Sequence, residues 1–520
     1  MLSKANRSFS LSSCALPWLA LVAPACSVFS SDDTAPAPAE TAETAPARGE
    51  AEAAPVAGAP AESDLDERHG VFVKQGGRAD AKGTRVDPLG SIRAGLELAR
   101  STGRRVFVCE GKYEEGLVLM SGDDISSGLS CSGDTWRTGG GRAILRAPQS
   151  PAIVARRITQ ATRIQGLDVT APPGTPDAPS SIALLADDAP SLLVASSVLR
   201  ASRGADGRNG QEPEAAVLQG GNGADGNPEM SPSQLSPGAA ALFSANPQPS
   251  RGGAAGVGTC SAGPQPGRGG RGHGGQAYRS QLSGEAAGFF RWYPFGPAPL
   301  GREVVFPTTG ARGVDGVSAS SWGRLTREGF APESGTVGTS GGAGTGGWGG
   351  IVSSLPGASP AGQYTYMWVA SGGGGGSGGC AGLAGTPGTG GGASVAALLF
   401  DSSRLSFEDV ELISDAGGAG GAGSFGSEPS LGGLAGATQN ATQAARNGAP
   451  GGAAGVSGSG AGGPSFALAH EGPAPKMKAT KLAHGPGGAG IPEKTRETVD
   501  GSVQVLPASP TGPAEDVHGF

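Results

Sequence analysis

The chain has 520 residues, of which 96 are Gly and 41 are Pro, so that these two types make up about a quarter of it, against roughly 12% in ordinary proteins. Aromatic residues account for 5%, charged residues for 16%, and the formal net charge is -7. So few charges argue against a solvated disordered chain. Because no basic stretch is interleaved with aromatic residues, we expect no nucleic-acid partner.

Residues 1–26 have the pattern of an export signal, with basic residues before an apolar run, Phe9–Ala23. The tetrapeptide that ends in Cys26 resembles a bacterial lipobox, with Ala where Leu is usual. The resemblance predicts that Cys26 is lipidated and that the lipid anchors the protein at the outer membrane or cell surface. Simple cleavage is the alternative, and it would give a secreted or periplasmic protein. The apolar run is too short for a comfortable membrane span.

Residues 27–70 are rich in Ala, Pro and Glu and are expected to form a flexible tether. The body begins with a strand at Val71–Val73. Asp87-Pro88 predicts the start of an amphipathic helix, which Thr102-Gly103 ends. A strand at Arg105–Cys109 follows. The order of helix, VFVC strand, GKY turn and next strand resembles the N-terminal caps of pectin-lyase-like right-handed β-helices.

Three segments share one pattern, in which Ser and a short apolar run precede a polar turn and a second apolar half: Ser181–Ser202, Ser394–Ala416 and Ser465–His484. Their second halves end in the alternating pairs Val198/Arg200, Val410/Leu412 and Thr480/Leu482, and Pro151–Ala171 is a looser fourth copy. One such unit cannot bury its apolar side alone, whereas stacked units share a core. The sequence therefore predicts an all-β solenoid, a right-handed parallel β-helix with an N-terminal capping helix.

Long glycine-rich inserts separate these units, and their glycines recur at every third residue. The three runs are Gly335 to Gly350, Gly373 to Gly391 and Gly417 to Gly426. Period three is the repeat of an extended left-handed helix, with Gly where backbones pack closely. Packed polyglycine-II-like strands and a disordered glycine loop are the two structures that the pattern leaves open.

These patterns divide the body into five parts. They are the cap and first coils at 71–203, an insert at 204–393, a coil at 394–416, a second insert at 417–463, and a final coil and tail at 464–520. Ser502–Leu506 is expected to add a closing strand, and the tail to Phe520 carries no signal.

Four cysteines lie beyond the signal segment and can pair in three ways. We favour Cys109–Cys131, because successive coils bring residues about one turn apart side by side. Cys260–Cys380 would then tie the long insert together. Because no CxxC pair or His-Cys cluster is present, zinc is not expected.

Asp187-Asp188 and Gly272-His273-Gly274 are similar to the DD and GHG signatures of polygalacturonases, which are β-helix enzymes. The companion NTD and RIK motifs are absent, so we expect no catalytic residues and no cofactor. The coil acids that could still form a carboxylate pair with a basic neighbour are Asp168, Asp187, Asp188, Glu408 and Asp409.

Two further patterns each have two interpretations. Gly-Ala-Asp-Gly at 204–207 and at 223–226 resembles half of a calcium-binding repeat, but isolated copies are more typical of turns. Tyr364, Tyr366 and Trp368 alternate, so on a strand they would share one face. That row could stack on sugar rings or simply supply an apolar core to the insert.

The glycine tract Gly372–Leu399, the GGAGGAG that follows a coil, and the VFVCEGKYEE opening together resemble glycine-rich, PGRS-like lipoproteins of predatory and social deltaproteobacteria, including myxobacteria. The resemblance covers roughly residues 71–490. It implies a surface β-helix protein without an established activity and assigns no catalytic residues. Our first hypothesis is a non-enzymatic, lipid-anchored surface protein whose glycine-rich inserts contact extracellular matrix or polysaccharide. A β-helix polysaccharide lyase or hydrolase and a purely structural spacer are the alternatives.

Overall fold

The computed structural model describes residues 60–226, 252–273, 277–282, 290–295, 306–352, 366–368, 371–438, 441–498 and 503–520. Within these residues the chain is almost entirely strand and extended segment, with one α-helix and a short 3-10 helix at Glu62–Asp64. Three parallel sheets form the main body. The all-β, parallel class predicted from the sequence is therefore confirmed.

The elements up to the first long insert are β1 (Gly70–Arg78), α1 (Ile92–Thr102), β2 (Arg105–Cys109), β3 (Gly111–Tyr113), β4 (Leu117–Leu119), β5 (Asp124–Ser132), β6 (Thr135–Thr138), β7 (Ala143–Arg146), β8 (Ile153–Arg156), β9 (Thr162–Gln165), β10 (Leu167–Thr170), β11 (Ser181–Asp187), β12 (Leu192–Ala195) and β13 (Val198–Arg200). The strands of the first insert are β14 (Leu218–Gly220), β15 (Gly258–Cys260), β16 (Ala277–Leu282), β17 (Phe290–Phe295), β18 (Gly323–Thr326), β19 (Gly329–Pro332), β20 (Ile351–Val352) and β21 (Tyr366–Trp368). The remainder are β22 (Ser394–Phe400), β23 (Ser406–Glu408), β24 (Glu411–Ile413), β25 (Ala441–Gln443), β26 (Ser465–His470), β27 (Lys476–Lys478), β28 (Lys481–Ala483), β29 (Lys494–Glu497), β30 (Val503–Leu506) and β31 (Ala514–Gly519).

Each repeat contributes one strand to each of three sheets, always in the same order. The first sheet runs β1-β2-β5-β9-β12-β23-β27, with β6 antiparallel to β5; the second runs β3-β7-β10-β13-β24-β28, and the third β4-β8-β11-β22-β26-β31. Neighbouring strands along these three paths are parallel. The side chains at equivalent positions of successive repeats stack, as Ile164, Val194 and Phe407 do. All three are fully buried in one shared apolar core, which is why a single repeat could not fold alone.

The register of the repeats corrects one part of the sequence alignment. Ser181, Ser394 and Ser465 lie side by side, as their shared pattern predicts. In the second sheet, however, Leu199 pairs with Leu412, and Leu412 pairs with Leu482. The sequence alignment placed Arg200 opposite Leu412, and it was wrong by one residue because Leu199 is the true counterpart of Leu412. Buried Leu199 occupies the core position, and a one-residue shift would turn it outward.

Helix α1 begins later than the sequence pattern predicted. Its N-cap is Ser91, whose hydroxyl accepts a hydrogen bond from the Ala94 amide, and the Glu115 carboxylate accepts another from the Ile92 amide at 2.7 Å. The Asp87 carboxylate instead accepts from the Lys82 amide in the preceding loop. The predicted start at Asp87-Pro88 was therefore wrong, since Ser91 is the N-cap and the distant Glu115 carboxylate accepts from the first amides of the helix. The predicted end is confirmed by Gly103, which has φ 66° and closes the helix.

The C-terminal part of the chain also differs from the prediction. β30 does not extend the stacked sheets but pairs antiparallel with β29. The last parallel strand is β31, which pairs with β26 in the third sheet. The tail therefore closes one sheet although it carried no sequence signal, since Val517 and Phe520 are the only large apolar side chains of residues 507–520. Its backbone bonds to β26 are accompanied by stacking of His518 on Phe466, with ring centroids 4.3 Å apart.

Two disulfides connect residues far apart in sequence. Cys109 and Cys131 are paired with their Cα atoms 6.0 Å apart, and Cys260 and Cys380 with theirs 5.7 Å apart. Both separations lie within the usual range for a disulfide. The first joins neighbouring strands β2 and β5 beside an aromatic cluster. The second joins two segments of the long insert, and these are the two pairs favoured from the sequence.

Glycine-rich segments pack side by side into a body that we call the glycine layer. It comprises residues 204–226, 252–273, 308–319, 335–350, 371–392, 417–438, 445–463, 485–491 and 508–513. In it, backbone amides at every third residue donate to carbonyls of neighbouring segments, as Gly344, Gly347 and Gly350 donate to Gly379, Gly376 and Gly373. Such bonds run between segments and seldom within one, as in packed extended helices.

Segment 371–392 lies at the centre of the glycine layer and is hydrogen-bonded to six neighbouring extended runs, two of which are the halves of segment 252–273 on either side of its turn. The bonds are Gly374 to Ala224, Gly253 to Gly372, Gly375 to Gly270, Gly347 to Gly376, Gly436 to Gly374 and Gly379 to Ala449. Residues 371–382 are therefore buried on all sides. In a helix with three residues per turn, every third residue points in the same direction. Residues 371–382 have neighbours in all three directions and have glycine at positions facing each of them, whereas segments at the outside need glycine in one direction.

Most of these glycines are required because a carbonyl oxygen occupies the place of their missing side chain. A Cβ at Gly375 would overlap the Gly347 oxygen, one at Gly376 the Gly433 oxygen, and one at Gly374 the Ala254 oxygen. Three consecutive glycines thus face three different neighbours. Glycine therefore recurs at every third residue wherever one side of a segment touches the backbone of a neighbour.

We predict that Gly376→Ala lowers the free energy of unfolding by about 2 kcal/mol or more, since overpacking of this kind cannot be relieved by a side-chain rotation. Urea denaturation measures it. Gly342→Ala is the matched control within the glycine layer, because its Cβ would lie 3.0 Å from the nearest atom, the Ala311 nitrogen. Equal losses for the two variants would contradict the account of the glycine period.

Candidate functional site

The candidate acids Asp188 and Asp409 occupy turns whose backbone explains their presence. Asp188 has φ 50° and Asp409 has φ 54°, and Asp401, at φ 46°, occupies the turn next to that of Asp188. Left-handed backbone is costly for most residues but is tolerated by Asp and Asn. The Asp188 amide donates to the Phe400 carbonyl in the next repeat, so the turns stack as the strands do.

Asp187 belongs to an ion cluster on the outside of the third sheet. The turn of the β18–β19 hairpin places Arg327 there, where its guanidinium bonds to Asp187, to Asp401 at 2.7 Å and to Glu471 at 3.3 Å. It also lies over the ring of Phe400 at 5.3 Å. The hydrogen bond that Arg327 donates to Asp401 is the main reason that the pKa of Arg327 rises above its ordinary value. We call these four ionic residues the arginine cluster.

The β18–β19 hairpin is fixed to the third sheet by aromatic packing as well as by charge. Trp322 stacks on Phe330 with ring centroids 5.7 Å apart and meets Phe466 edge-on at 5.9 Å. At the base of the hairpin the Glu333 carboxylate accepts hydrogen bonds from the amides and hydroxyls of Ser320 and Ser321. The hydroxyl of Ser321 is the main cause of the lowered pKa of Glu333.

Asp168 lies on the second sheet between two arginines of the adjacent strands. Its carboxylate is 3.6 Å from Arg146 and 3.6 Å from Arg200. Arg146 and Arg200 are both in register with Thr170 on β10, and Asp168 lies two residues earlier on the same side of that strand, so the stacking of β7, β10 and β13 places both arginines diagonally across from it. This placement of one carboxylate between two guanidinium groups is that of a structural ion pair across three repeats.

Glu408 and Asp409 line a shallow depression of about 240 Å³ at one edge of the first sheet. Arg163 and Lys478 line it as well, so these two acids do have basic neighbours. The depression could hold a polar group of an extended ligand. Asp187 lies instead in the arginine cluster, and the candidate acids therefore fall into three separate places.

The similarity to polygalacturonases does not extend to the geometry. His273 lies in the glycine layer, where its amide donates to Gly350 and its carbonyl accepts from Gly372. Asp187 and Asp188 lie at the end of β11 and the turn after it. The contacts among the described residues connect His273 to glycine segments and the two acids to the third sheet.

The two Gly-Ala-Asp-Gly motifs act as backbone caps at the outside of the glycine layer. The Asp206 carboxylate accepts from the Ala419 amide at 2.8 Å, and the Asp225 carboxylate accepts from the Ala437 amide at 2.6 Å. The amides of Gly207 and Gly226, which follow them, donate to Ala419 and Ala437 in return. Each Asp thus replaces a backbone acceptor, a role that neither the turn nor the calcium interpretation anticipated.

Several candidates lie where the structure says little. Cys26 and Tyr364 fall outside the described residues. Tyr366 and Trp368 form β21, which pairs with β16, and their side chains are outside the description. The stacking prediction for this row therefore stays a prediction.

A wider cleft of about 780 Å³ beside the end of α1 was not anticipated from the sequence. Arg100 and Asp123 in its wall form an ion pair at 2.7 Å, in which Asp123 is buried and Arg100 is partly exposed. Arg104 donates to the Glu67 and Gly70 carbonyls. The cleft is lined mostly by charged and polar side chains, so it suits a polar ligand better than an apolar one.

Two absences concern only the part of the chain that the structure describes. Among those residues, no group of three or more His, Cys, Asp or Glu side chains could hold a metal ion. None of the helices described there is both long and apolar enough to cross a membrane.

The sequence analysis missed the hairpin that carries Arg327. Gly323–Thr326 and Gly329–Pro332 are two short runs joined by Arg327-Glu328, and such a pair of runs is a hairpin signal. The signal was weak because the surrounding glycine tracts dominate the composition.

Comparison of the chain with family models, with curated proteins and with solved structures finds no match.

We predict that the hairpin loosens in acid. The folded pKa of Glu333 lies below its ordinary value of 4.5, so the charged carboxylate stabilises the hairpin above that value and the contribution is lost as pH falls through the lowered pKa. The side-chain resonance of Trp322 should report this change. Glu333→Gln should show the loosened state already at pH 7, whereas Glu328→Gln in the turn should behave as the unchanged protein does. An acid transition that survives in Glu333→Gln would contradict the assignment.

Proposed function

We propose that this chain is a non-enzymatic, exported surface protein in which a right-handed parallel β-helix carries a rigid polyglycine-II-like layer that contacts extracellular polysaccharide or matrix. The three-sheet pattern supports the β-helix, because strands from each repeat enter the sheets in a constant order. Parallel crossover connections are right-handed in about 98% of cases. The anchor would be the lipid on Cys26, as in the glycine-rich, PGRS-like deltaproteobacterial lipoproteins that the sequence resembles.

The central segment 371–392 is the observation that carries the proposal. Six hydrogen-bonded neighbours enclose it, so that the insert has a defined surface and is a display platform instead of a loop. Two disulfides fit an oxidising, extracellular setting. The period of three gives the surface side chains a regular spacing of about 9.3 Å, which suits an extended, repeating partner.

The distribution of the coil acids favours a binding protein over a polysaccharide-cleaving enzyme. An inverting glycosidase needs two carboxylates roughly 6.5–9.5 Å apart, one of them free to donate a proton. Asp187 shares Arg327 with two other acids, and Asp168 lies between two arginines. Glu408 and Asp409 remain the pair for which cleavage is worth testing.

The test exposes the purified full chain to a panel of acidic and neutral polysaccharides and measures both retention and the appearance of new chain ends. We expect retention without new ends. Trp368→Ala should weaken retention if the aromatic row stacks on sugar, and Trp322→Ala, beside the β18–β19 hairpin and outside the glycine layer, is the aromatic control.

New chain ends that disappear in Glu408→Gln or in Asp187→Asn combined with Asp188→Asn would contradict a non-enzymatic role. Asn tolerates the turn backbone of residue 188, so the variant separates chemistry from folding. Asp177→Asn, at an exposed loop position, controls for a general change of charge. Absence of both retention and cleavage would favour the structural spacer.

A further inference from the structure

One face of the glycine layer carries exposed aliphatic side chains in a regular array. Val314 and Val317 of segment 308–319 are 70% and 66% exposed, and Val337 of the adjacent segment is 60% exposed. Ala311 continues the first row one turn earlier and is also exposed. We call these four residues the valine face.

Residues three apart in segment 335–350 point in the same direction, and the partners in the three directions explain why Val337 is exposed. Glycines at 335, 338, 341, 344 and 347 face carbonyls of segment 445–463. Thr336 and Thr339 accept hydrogen bonds from the amides of Val317 and Val314 and so join the two segments. The remaining third of the positions includes Ser334 and Ser340, whose hydroxyls accept hydrogen bonds from the amides of Gly390 and Ala384. Val337 lies between these two serines and cannot make such a bond, and its side chain is left 60% exposed.

Exposed valines are costly to leave in water, and here they recur at the spacing of the backbone itself. Side chains about 9.3 Å apart along a segment can fit between side chains of the same spacing on a partner over several turns. Against a partner surface with a different repeat distance they would go out of register. A second copy of this chain has the same repeat by identity.

Charges beside the valine face also match those of a second copy. Arg312 and Asp315 lie one turn apart along the same segment, 3.1 Å from each other and about half exposed. A two-fold axis in the interface, perpendicular to the segments, would run the second copy antiparallel. Arg312 of each copy would then face Asp315 of the other along one rim, an arrangement that is self-complementary.

We propose that the valine face is a self-association surface on which two copies pack antiparallel. The segment spans roughly 37 Å at about 3.1 Å per residue. Two segments side by side therefore offer roughly 400 Å² per copy, about half of a standard interface. The dimer is accordingly weak in dilute solution, and it forms where copies are concentrated, as on a membrane surface. This inference stands independently of any polysaccharide partner.

Sedimentation velocity of the full chain from about 1 µM to about 1 mM tests the proposal, a range set by the small interface. We expect concentration-dependent dimers. Val314→Lys and Val317→Lys should each raise the dissociation constant at least tenfold, and Arg312→Glu should raise it as well, because it would face Asp315 of the second copy. Val257→Lys, at a 58% exposed site of another segment, is the matched control and should leave it unchanged.

Two results would overturn the proposal. One is a protein that stays monomeric at every concentration from about 1 µM to about 1 mM. That result counts against the proposal even if Val314→Lys weakens retention on a polysaccharide. The other is a dimer that Val257→Lys weakens as much as Val314→Lys does. Circular dichroism of each variant shows that the fold is retained, which is expected because all three valines are on the surface.

Discussion

The absence of a side chain on glycine is the constraint on which this structure depends. Where segments touch backbone to backbone, a carbonyl oxygen of one occupies the position that a Cβ of the other would need, as at Gly375 and Gly376. The number of neighbours then sets the glycine content of a segment. Segment 371–392 has six hydrogen-bonded neighbours and glycine at 13 of its 22 positions, whereas segment 308–319 lies outside and has glycine at one residue in three from Gly310 to Gly316.

The same chain solves a different packing problem in its parallel sheets. There the inward side chains are aliphatic or aromatic, and burial of stacked rows such as Ile164, Val194 and Phe407 stabilises the repeats. Segments 204–226 and 417–438 of the glycine layer follow directly after strands β13 and β24 in the chain. The stacked repeats therefore fix where these segments of the layer begin. Hydrogen bonding from Gly204 to Ala416 shows that the stacking continues from the body into the layer.

Much of this architecture could be predicted from the sequence because it depends on local patterns that repeat. The shared Ser and apolar runs gave the stacked strands, and the glycine period gave the close backbone contacts. The start of α1 could not be predicted, since Glu115 caps it from a distant loop. Strand β31 could not be either, because its pairing relies on backbone bonds to β26 and its side chains are mostly polar.

The candidate site was harder to predict than the fold because the chemistry of an acid depends on its neighbours in space. Asp187-Asp188 resembles a catalytic pair in sequence, yet Asp188 is required by a left-handed turn and Asp187 bonds to Arg327, 140 residues away. Asp206 and Asp225 resemble calcium ligands, yet each accepts a backbone amide at the outside of the glycine layer. Sequence alone supplies the residue type but not the partner that determines its role.

The central claim is that the glycine-rich inserts form one hydrogen-bonded body around segment 371–392. Amide hydrogen exchange measured residue by residue tests it most directly, since exchange requires each hydrogen bond to open. The account predicts that the amides of Gly373 to Gly391 exchange as slowly as those of β22 at the centre of the third sheet. Exchange at the rate of an unprotected peptide across that segment, beside a protected β22, would contradict it.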